Sequence, residues 1–364
     1  MDFQSLKNHP LPLEDMRVQR SYVGGSLLNK WKGLPDCGES DLCEEWQMSV
    51  IEVQYPGSQP GEGLSKVKLP DGSEAYLRDI IASDPEGFLG ADYVRVHGST
   101  AGLGVRTGDS VVRLSLQAHP RAEDAKRFLN FPRGKTEAWY IVETREIDGQ
   151  RPYVRIGWKK GITKEKVREM FFSEDVAGIE NAMHQIFIQK GDVILVPAGI
   201  PHAMGPGAMF LEVAEACDFT FKLEHVMPTR RLDDSEMHYG IGFDKMLECF
   251  DYTTYEEDEI RAKTIFSGQP VEESPQGKVY KMFGYEATPV FTMYRYDISG
   301  DYVLQPVDHY RVAVAIYGSG TAVAEDGTAY PMRQGSGVFL PASMGPVTLQ
   351  GNFTFICSDC AKID

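Results

Sequence analysis

Cysteine is scarce in this chain. Six cysteines, at 37, 43, 217, 249, 357 and 360, are spread over 364 residues. That is too thin for a disulfide framework and reads as reduced cytosolic thiols. Cys357-Ser-Asp-Cys360 has the spacing of a redox or zinc pair, but no second pair and no βαβ pattern accompany it, so it is read as incidental. No apolar run approaches the length of a membrane span. The first residues, Met1-Asp-Phe-Gln-Ser-Leu-Lys-Asn8, lack a basic start followed by an apolar block, so no signal peptide is expected and a cytoplasmic location is. Basic residues are also in deficit, with 37 Lys and Arg against 53 Asp and Glu and a net charge of −16. Phosphate-rich partners would be repelled over most of such a surface, which excludes nucleic acid and anionic membranes. A small anionic substrate would need a locally basic pocket. A monomer or homodimer is expected.

What is present is an ordinary globular composition, 42% apolar and 25% charged, long enough for two or three domains. Short β-branched and aromatic runs lie between turn residues: Tyr153–Gly157, Ile186–Ile188, Val193–Val196, Met209–Val213 and Phe219–Phe221. This spacing predicts antiparallel sandwiches or barrels. Helical patches are expected at Pro120–Leu129, at Thr163–Phe172 behind a capping threonine, and at Ser235–Phe250. An acidic, Gly- and Pro-containing stretch from Tyr255 to Gly277 reads as a connection. After it a second β series runs through Val290–Tyr296, Val312–Tyr317, Gly320–Ala324, Gly337–Leu340 and Phe353–Ile356. The two series form a weak repeat, with Gly191-Asp-Val-Ile-Leu-Val-Pro-Ala-Gly199 echoed by Gly335-Ser-Gly-Val-Phe-Leu-Pro-Ala-Ser343.

Three segments carry chemistry: Leu114-Ser-Leu-Gln-Ala-His-Pro120, Gly134-Lys-Thr-Glu-Ala-Trp-Tyr140, and Gly191 through His202. Gln117 and His119 are two apart, so a strand would send both to one face. Glu137 opens the next apolar run, and His202 follows the turn Pro197-Ala-Gly-Ile-Pro201. Taken singly, each has a plain structural reading: a hydrogen-bonded strand histidine, an edge glutamine, a solvated strand start. Together Gln117, His119, Glu137 and His202 offer two nitrogens and two oxygens to one divalent ion. That donor set suits zinc, and manganese, cobalt and nickel are compatible. In the echo, Met344 and Gly345 stand where a histidine would be required, so the second unit is expected to be structural and without metal.

In order along the chain, these motifs resemble the type I mannose-6-phosphate isomerases, zinc-dependent enzymes of the cupin superfamily. Glu44-Glu-Trp46 with Ser49, Leu77-Arg-Asp-Ile-Ile81 through Leu89-Gly90, Leu116–Pro120, Gly134–Tyr140, Pro197–Gly199 with His202-Ala203, and Leu211-Glu-Val213 with Asp218 all fall in place. The resemblance implies a mainly β fold of two cupin-type jelly-roll barrels with a few inserted helices. The expected organisation is a metal-binding catalytic domain over 1–232, a helical linker over 233–277 and a degenerate barrel over 278–364. It also implies Gln117, His119, Glu137 and His202 as the ligands of one Zn2+. Two departures stand out. Lysine occupies 222 where the family carries a catalytic arginine, and Arg106 stands where it often has lysine. Arginine is a planar fork and lysine a flexible point charge, so neither exchange is neutral.

The implied reaction interconverts mannose 6-phosphate and fructose 6-phosphate by moving a proton between adjacent carbons through an enediol. Lys135 resembles the family's active-site lysine, and alternation places it beside Glu137; it would assist proton transfer or hold a sugar oxygen. Glu212 and Asp218 are candidates for base or orienting carboxylates, although a core-edge carboxylate bonded to a turn is as ready a reading for either, and Lys222 is counted with the catalytic groups. Lys222, Arg230 and Arg231 are the candidates for the phosphate, although an exposed, solvated pair is as ready a reading for Arg230 and Arg231. Trp139 and Tyr140 are core residues. Lysine at 222 keeps two alternatives open: an isomerase of a related or unphosphorylated sugar, and a non-catalytic sugar-binding cupin sensor.

Overall fold

The computed structural model describes residues 3–54, 57–227 and 230–363. Its first barrel faces two sheets. One has seven strands, ordered Ile265–Phe266, Val193–Val196, Glu137–Thr144, Ala208–Glu215, Leu103–Asp109, Glu44–Met48 and Arg17–Val18. The other has six and contains Met183–Phe187, Tyr153–Lys159, His202–Met204, Gln117–Ala118 and Phe221–Lys222, with Thr254–Tyr255 alongside in parallel. Inside this barrel Trp139, Ile141, Ile194 and Phe210 of one sheet meet Val154, Ile156, Ile186 and Met204 of the other.

The second barrel coils one eight-stranded sheet, chiefly Gln269–Ser274, Gly277–Phe283, Met293–Leu304, Arg311–Val323, Gly337–Leu340 and Val347–Asp359. Its interior is filled by residues such as Ala313, Ala315, Leu340, Met344, Phe353 and Phe355. The fold is therefore the expected two-barrel, mainly β architecture.

The seven-stranded sheet is covered on both faces, which explains why Ala138-Trp-Tyr-Ile-Val142 reads as a continuous apolar run. Trp139 and Ile141 point into the first barrel. Ala138, Tyr140 and Val142 point the other way, into one core shared with Phe283, Tyr310, Val312, Val314 and Phe339 of the second barrel. Each such large side chain contributes roughly 1.5–3 kcal/mol on burial. The second barrel thus stiffens the strand that starts at Glu137.

The outer face of the six-stranded sheet is covered by inserted helices. Lys164–Phe172, capped by Thr163 through Lys166 N at 3.3 Å, and Val176–Ala182 pack with Trp158, Leu116 and Phe221.

Several local expectations differ from the structure. Pro120–Leu129 makes a short turn of helix at Ala122–Asp124 followed by a π-helical turn at Ala125–Leu129. The helix expected over Ser235–Phe250 is two, Asp234–His238 and Phe243–Glu248. Tyr239 ends the first in a left-handed conformation, φ 51°. The stretch read as a connection holds helix Glu257–Thr264, and Gln269–Ser274 already pairs within the second barrel's sheet. Leu11–Pro12 also belongs to that sheet, paired with Val338 and Phe339, so the N-terminal segment lies with the C-terminal barrel.

Candidate metal centre and active-site cleft

Two backbone hydrogen bonds and two strand pairings knit the site segments together. Gly199 N donates to His119 O at 2.8 Å, which ties the Pro197–Pro201 turn to the histidine strand. Lys135 N donates to Pro120 O at 3.0 Å. The close approach there needs glycine at 134, where an added Cβ would lie 2.8 Å from Pro120 O. Gln117 pairs with His202 across neighbouring strands, and Lys222 pairs with Gln117 on the other side.

The side chains of His119, Glu137 and His202 converge, with ligand atoms all within 4.8 Å of one another. His119 Nε2 is 3.1 Å from Glu137 Oε2, and His202 Nε2 is 3.3 Å from Glu137 Oε1. Each ring is fixed from behind: His119 Nδ1 donates to Phe219 O at 2.9 Å and His202 Nδ1 to Ile200 O at 2.8 Å. That leaves both Nε2 lone pairs facing the carboxylate, the arrangement metal-ligating histidines use. Both Glu137 oxygens are buried and lack a hydrogen-bond donor of ordinary geometry. The residues fit a divalent cation. Gln117 reaches the same point, its Nε2 3.3 Å from His202 Nε2, while Oε1 accepts from Ser115 Oγ at 2.6 Å. Turning the amide about its last bond would present Oε1 instead.

Lys135 Nζ sits among these groups, 2.7 Å from Glu137 Oε2, 3.1 Å from Glu212 Oε1 and 3.2 Å from His119 Nε2. Arg106 then bridges Glu212, at 3.2 Å, to Asp218, at 3.0 Å, and stacks 4.4 Å above Trp46. Arg20 closes the chain between Asp218 and Glu44.

These contacts sort the protonation states. Burial pushes the Glu212 carboxyl up, and Arg106 and Lys135 offset only part of that. Burial acts the same way on Asp218, but Arg20, Arg106 and Lys135 outweigh it and hold the carboxyl well below the usual range. Burial would lower Lys135, yet Glu137 and Glu212 hold its ammonium above its ordinary value. His119 is brought down to about 4 by burial and by Lys135, and so stays neutral.

A cleft runs outward from these groups past Lys222, Gln54 and Tyr239 to Ser58, Arg230, Ser235 and Glu236. Lys222 lines it throughout. Its pKa is lowered to about 8, first by burial and then by the nearby Arg20. Arg230 lines the outer part and is held in a two-pronged ion pair by Glu236. Arg231 is not brought to the cleft; its guanidinium is exposed and pairs with Glu174.

The C-terminal barrel, residues 282–360, matches the family model "Mannose-6-phosphate isomerase, cupin domain". A Bacillus subtilis protein named "Probable mannose-6-phosphate isomerase" is 26% identical over 350 residues, 96% of this chain and 99% of that one. The mannose-6-phosphate isomerase of Streptococcus mutans is 26% identical over 315 residues, 83% of this chain and 89% of its own. Over nearly its whole length the chain is similar to mannose-6-phosphate isomerases, and its C-terminal barrel matches their cupin-domain model. The crystal structure of the mannose 6-phosphate isomerase of B. subtilis superposes with TM-score 0.74 at 23% identity, covering 96% of this chain and 99% of that one. A phosphomannose isomerase from Salmonella typhimurium gives 0.71 at 12% identity, covering 97% and 99%.

Within this phosphomannose isomerase fold, sequence reasoning missed Arg20, Tyr22, Gln54 and Tyr239 as cleft residues. Gln54 acts through its backbone N–H, which donates to Asp218 Oδ2 at 2.9 Å. Its loop and the Arg20 segment come from the N-terminal region, and no local pattern links them to Asp218. Only Tyr239 gave a local signal, as an aromatic beside Gly240 within an expected helix.

Proposed function

We propose that this protein interconverts mannose 6-phosphate and fructose 6-phosphate, in the cytoplasm, with one zinc ion per chain held by Gln117, His119, Glu137 and His202. One observation carries this reading: the His–Glu–His cluster, a buried lysine and a carboxyl raised by burial share one cleft whose outer end is basic. A divalent ion in that site supplies a Lewis acid for the sugar's oxygens. Other divalent first-row ions would fit the same donors.

The residues divide the remaining work. Lys135, held charged between two carboxylates, is a donor to the oxygen on which charge develops, not a base. Glu212 is the group suited to carry the proton between the adjacent carbons, since burial raises its carboxyl whereas the neighbouring cations hold those of Glu137 and Asp218 low. Asp218 stays ionised and orients Arg106 and Arg20. Lys222 and Arg230 face the part of the cleft where the phosphate would lie.

Solvent-deuterium exchange tests the reading. Mannose 6-phosphate incubated with the protein in heavy water should acquire deuterium at the carbon beside the carbonyl, and Glu212→Gln should slow this by at least a hundredfold. Binding of the sugar phosphate with no exchange would point to a sugar-binding sensor instead.

A further inference from the structure

Arg20 is held differently from the other charged groups of the cleft. Its guanidinium is mostly buried and meets carboxylate oxygens at three points: Glu44 Oε2 at 3.3 Å, Asp218 Oδ2 at 3.4 Å and Asp218 Oδ1 at 3.5 Å. Charge-assisted hydrogen bonds normally close to about 2.7–2.9 Å. Each of those oxygens also has a nearer donor. Trp46 Nε1 reaches Glu44 Oε2 at 3.0 Å, Gln54 N reaches Asp218 Oδ2 at 2.9 Å, and Arg106 reaches Asp218 Oδ1 at 3.0 Å. Arg20 is thus the outermost partner on all three oxygens, and neither carboxylate would be orphaned if it turned away. Burying a cation is costly, and this one can turn away while each of those oxygens keeps a nearer hydrogen-bond donor.

Lys222 is in the same position. It borders the same cleft, and its ammonium meets two backbone carbonyls, Glu236 O at 3.3 Å and Thr220 O at 3.5 Å. None of the ion pairs of 4.0 Å or less among the described residues involves it. Two loosely engaged cations bordering one cleft suit an anion with several acceptor oxygens. The charge count agrees. Arg20, Arg106, Lys135 and Lys222 line the inner cleft against four carboxylates, so a divalent ion leaves an excess of two positive charges. A dianionic phosphate ester restores neutrality.

We infer that Arg20 and Lys222 together seat the terminal phosphate of the sugar, with Arg20 supplying the two-pronged guanidinium contact from the N-terminal segment. This rests on the sugar-phosphate reading above and names the residue that makes it selective for the phosphate. Arg20 NH1 and NH2 would exchange their long contacts to Asp218 for phosphate oxygens, while Asp218 keeps Arg106 and Gln54 N.

The test compares glucitol 6-phosphate with glucitol, two ligands without a carbonyl and therefore not turned over. Their affinities are measured by calorimetry on the zinc-loaded protein. Wild type should prefer the phosphorylated ligand. Arg20→Met should reduce that preference by about 30-fold or more, leaving glucitol affinity and zinc content unchanged. In turnover the loss should fall on KM rather than kcat. Arg20→Lys, which keeps the charge and the fold, should lose about tenfold. Lys222→Arg added to Arg20→Met should restore most of the preference. A wild-type isomerase whose Arg20→Met keeps its phosphate preference within threefold overturns the proposal alone. A wild-type protein indifferent to the phosphate overturns both the proposal and the sugar-phosphate reading.

Discussion

Replacing Lys135 by methionine should make the protein inactive yet tighten its hold on the metal. Lys135 Nζ is 2.7 Å from Glu137 and 3.1 Å from Glu212, and all three side chains are buried. In metal-free protein it is the cation nearest Glu137. Removing one partner of a buried ion pair costs about 3–5 kcal/mol. With an unfolding entropy of about 2.1 cal/mol/K per residue, that is roughly 4–7 °C of Tm for 364 residues. In the loaded protein Glu137 is neutralised by the ion and Glu212 keeps Arg106 at 3.2 Å, so the loss should be about 1 kcal/mol. Linkage turns the difference into affinity: a gap of about 2–4 kcal/mol corresponds to roughly 30- to 900-fold tighter zinc binding. The assay is thermal unfolding of both proteins after chelation and in buffered zinc, with competition against a chelator for affinity. Equal Tm losses in the two states, or weaker zinc binding by the variant, would refute this reasoning.

Other consequences follow from particular contacts. Glu224 accepts from both terminal nitrogens of Arg113, at 2.7 and 2.9 Å, and from Leu116 N at 2.7 Å, just before Gln117; Glu224→Ala should cost about 3 kcal/mol in urea unfolding and weaken zinc binding about tenfold through misplacement of the strand. Lys222 titrates at about 8, so its charge is present below that pH and falls about tenfold per unit above it; kcat/KM for the sugar phosphate should decline between pH 8 and 9.5, and Lys222→Arg should flatten that limb. In the second barrel His309 contacts Asp308 at 2.9 Å and Asp359 at 3.5 Å; burial lowers its pKa, but the two carboxylates outweigh burial and leave it raised. A raised folded-state pKa gives stability that is complete below the unfolded value near 6.5 and is lost as pH rises through the folded value. His309→Asn should therefore lower Tm at pH 5.5 more than at pH 8.5, and an equal loss at both would contradict the assignment.

The convergence of His119, Glu137 and His202 was legible because their motifs are local. Gln117 and His119 lie two apart, Lys135 and Glu137 alternate onto one side, and His202 follows a glycine turn, so sequence spacing alone brings each pair near its place. The electrostatic chain behind them was not. Asp218 is held by Arg20, Gln54 and Arg106, whose positions are more than a hundred residues away in sequence, and sheet order rather than periodicity brings them together. Arg231 failed as a cleft residue because an adjacent surface carboxylate, Glu174, satisfies it. The helix at Glu257–Thr264 was hidden in a stretch that looked like an acidic linker. Its signal was the pair Glu256 and Glu259, which form a capping box at its start. Leu11–Pro12 is too short to announce a strand, and only the free edge of Gly337–Leu340 makes it one.

The most direct measurement is isomerisation of mannose 6-phosphate by the purified protein as isolated, after chelation, and after zinc is restored. The predicted result is turnover lost on chelation and recovered with zinc, in a protein that remains folded throughout. Undiminished turnover in the chelated, metal-free protein, or a zinc-loaded protein that turns over no mannose 6-phosphate, would contradict a metal-dependent sugar-phosphate isomerase.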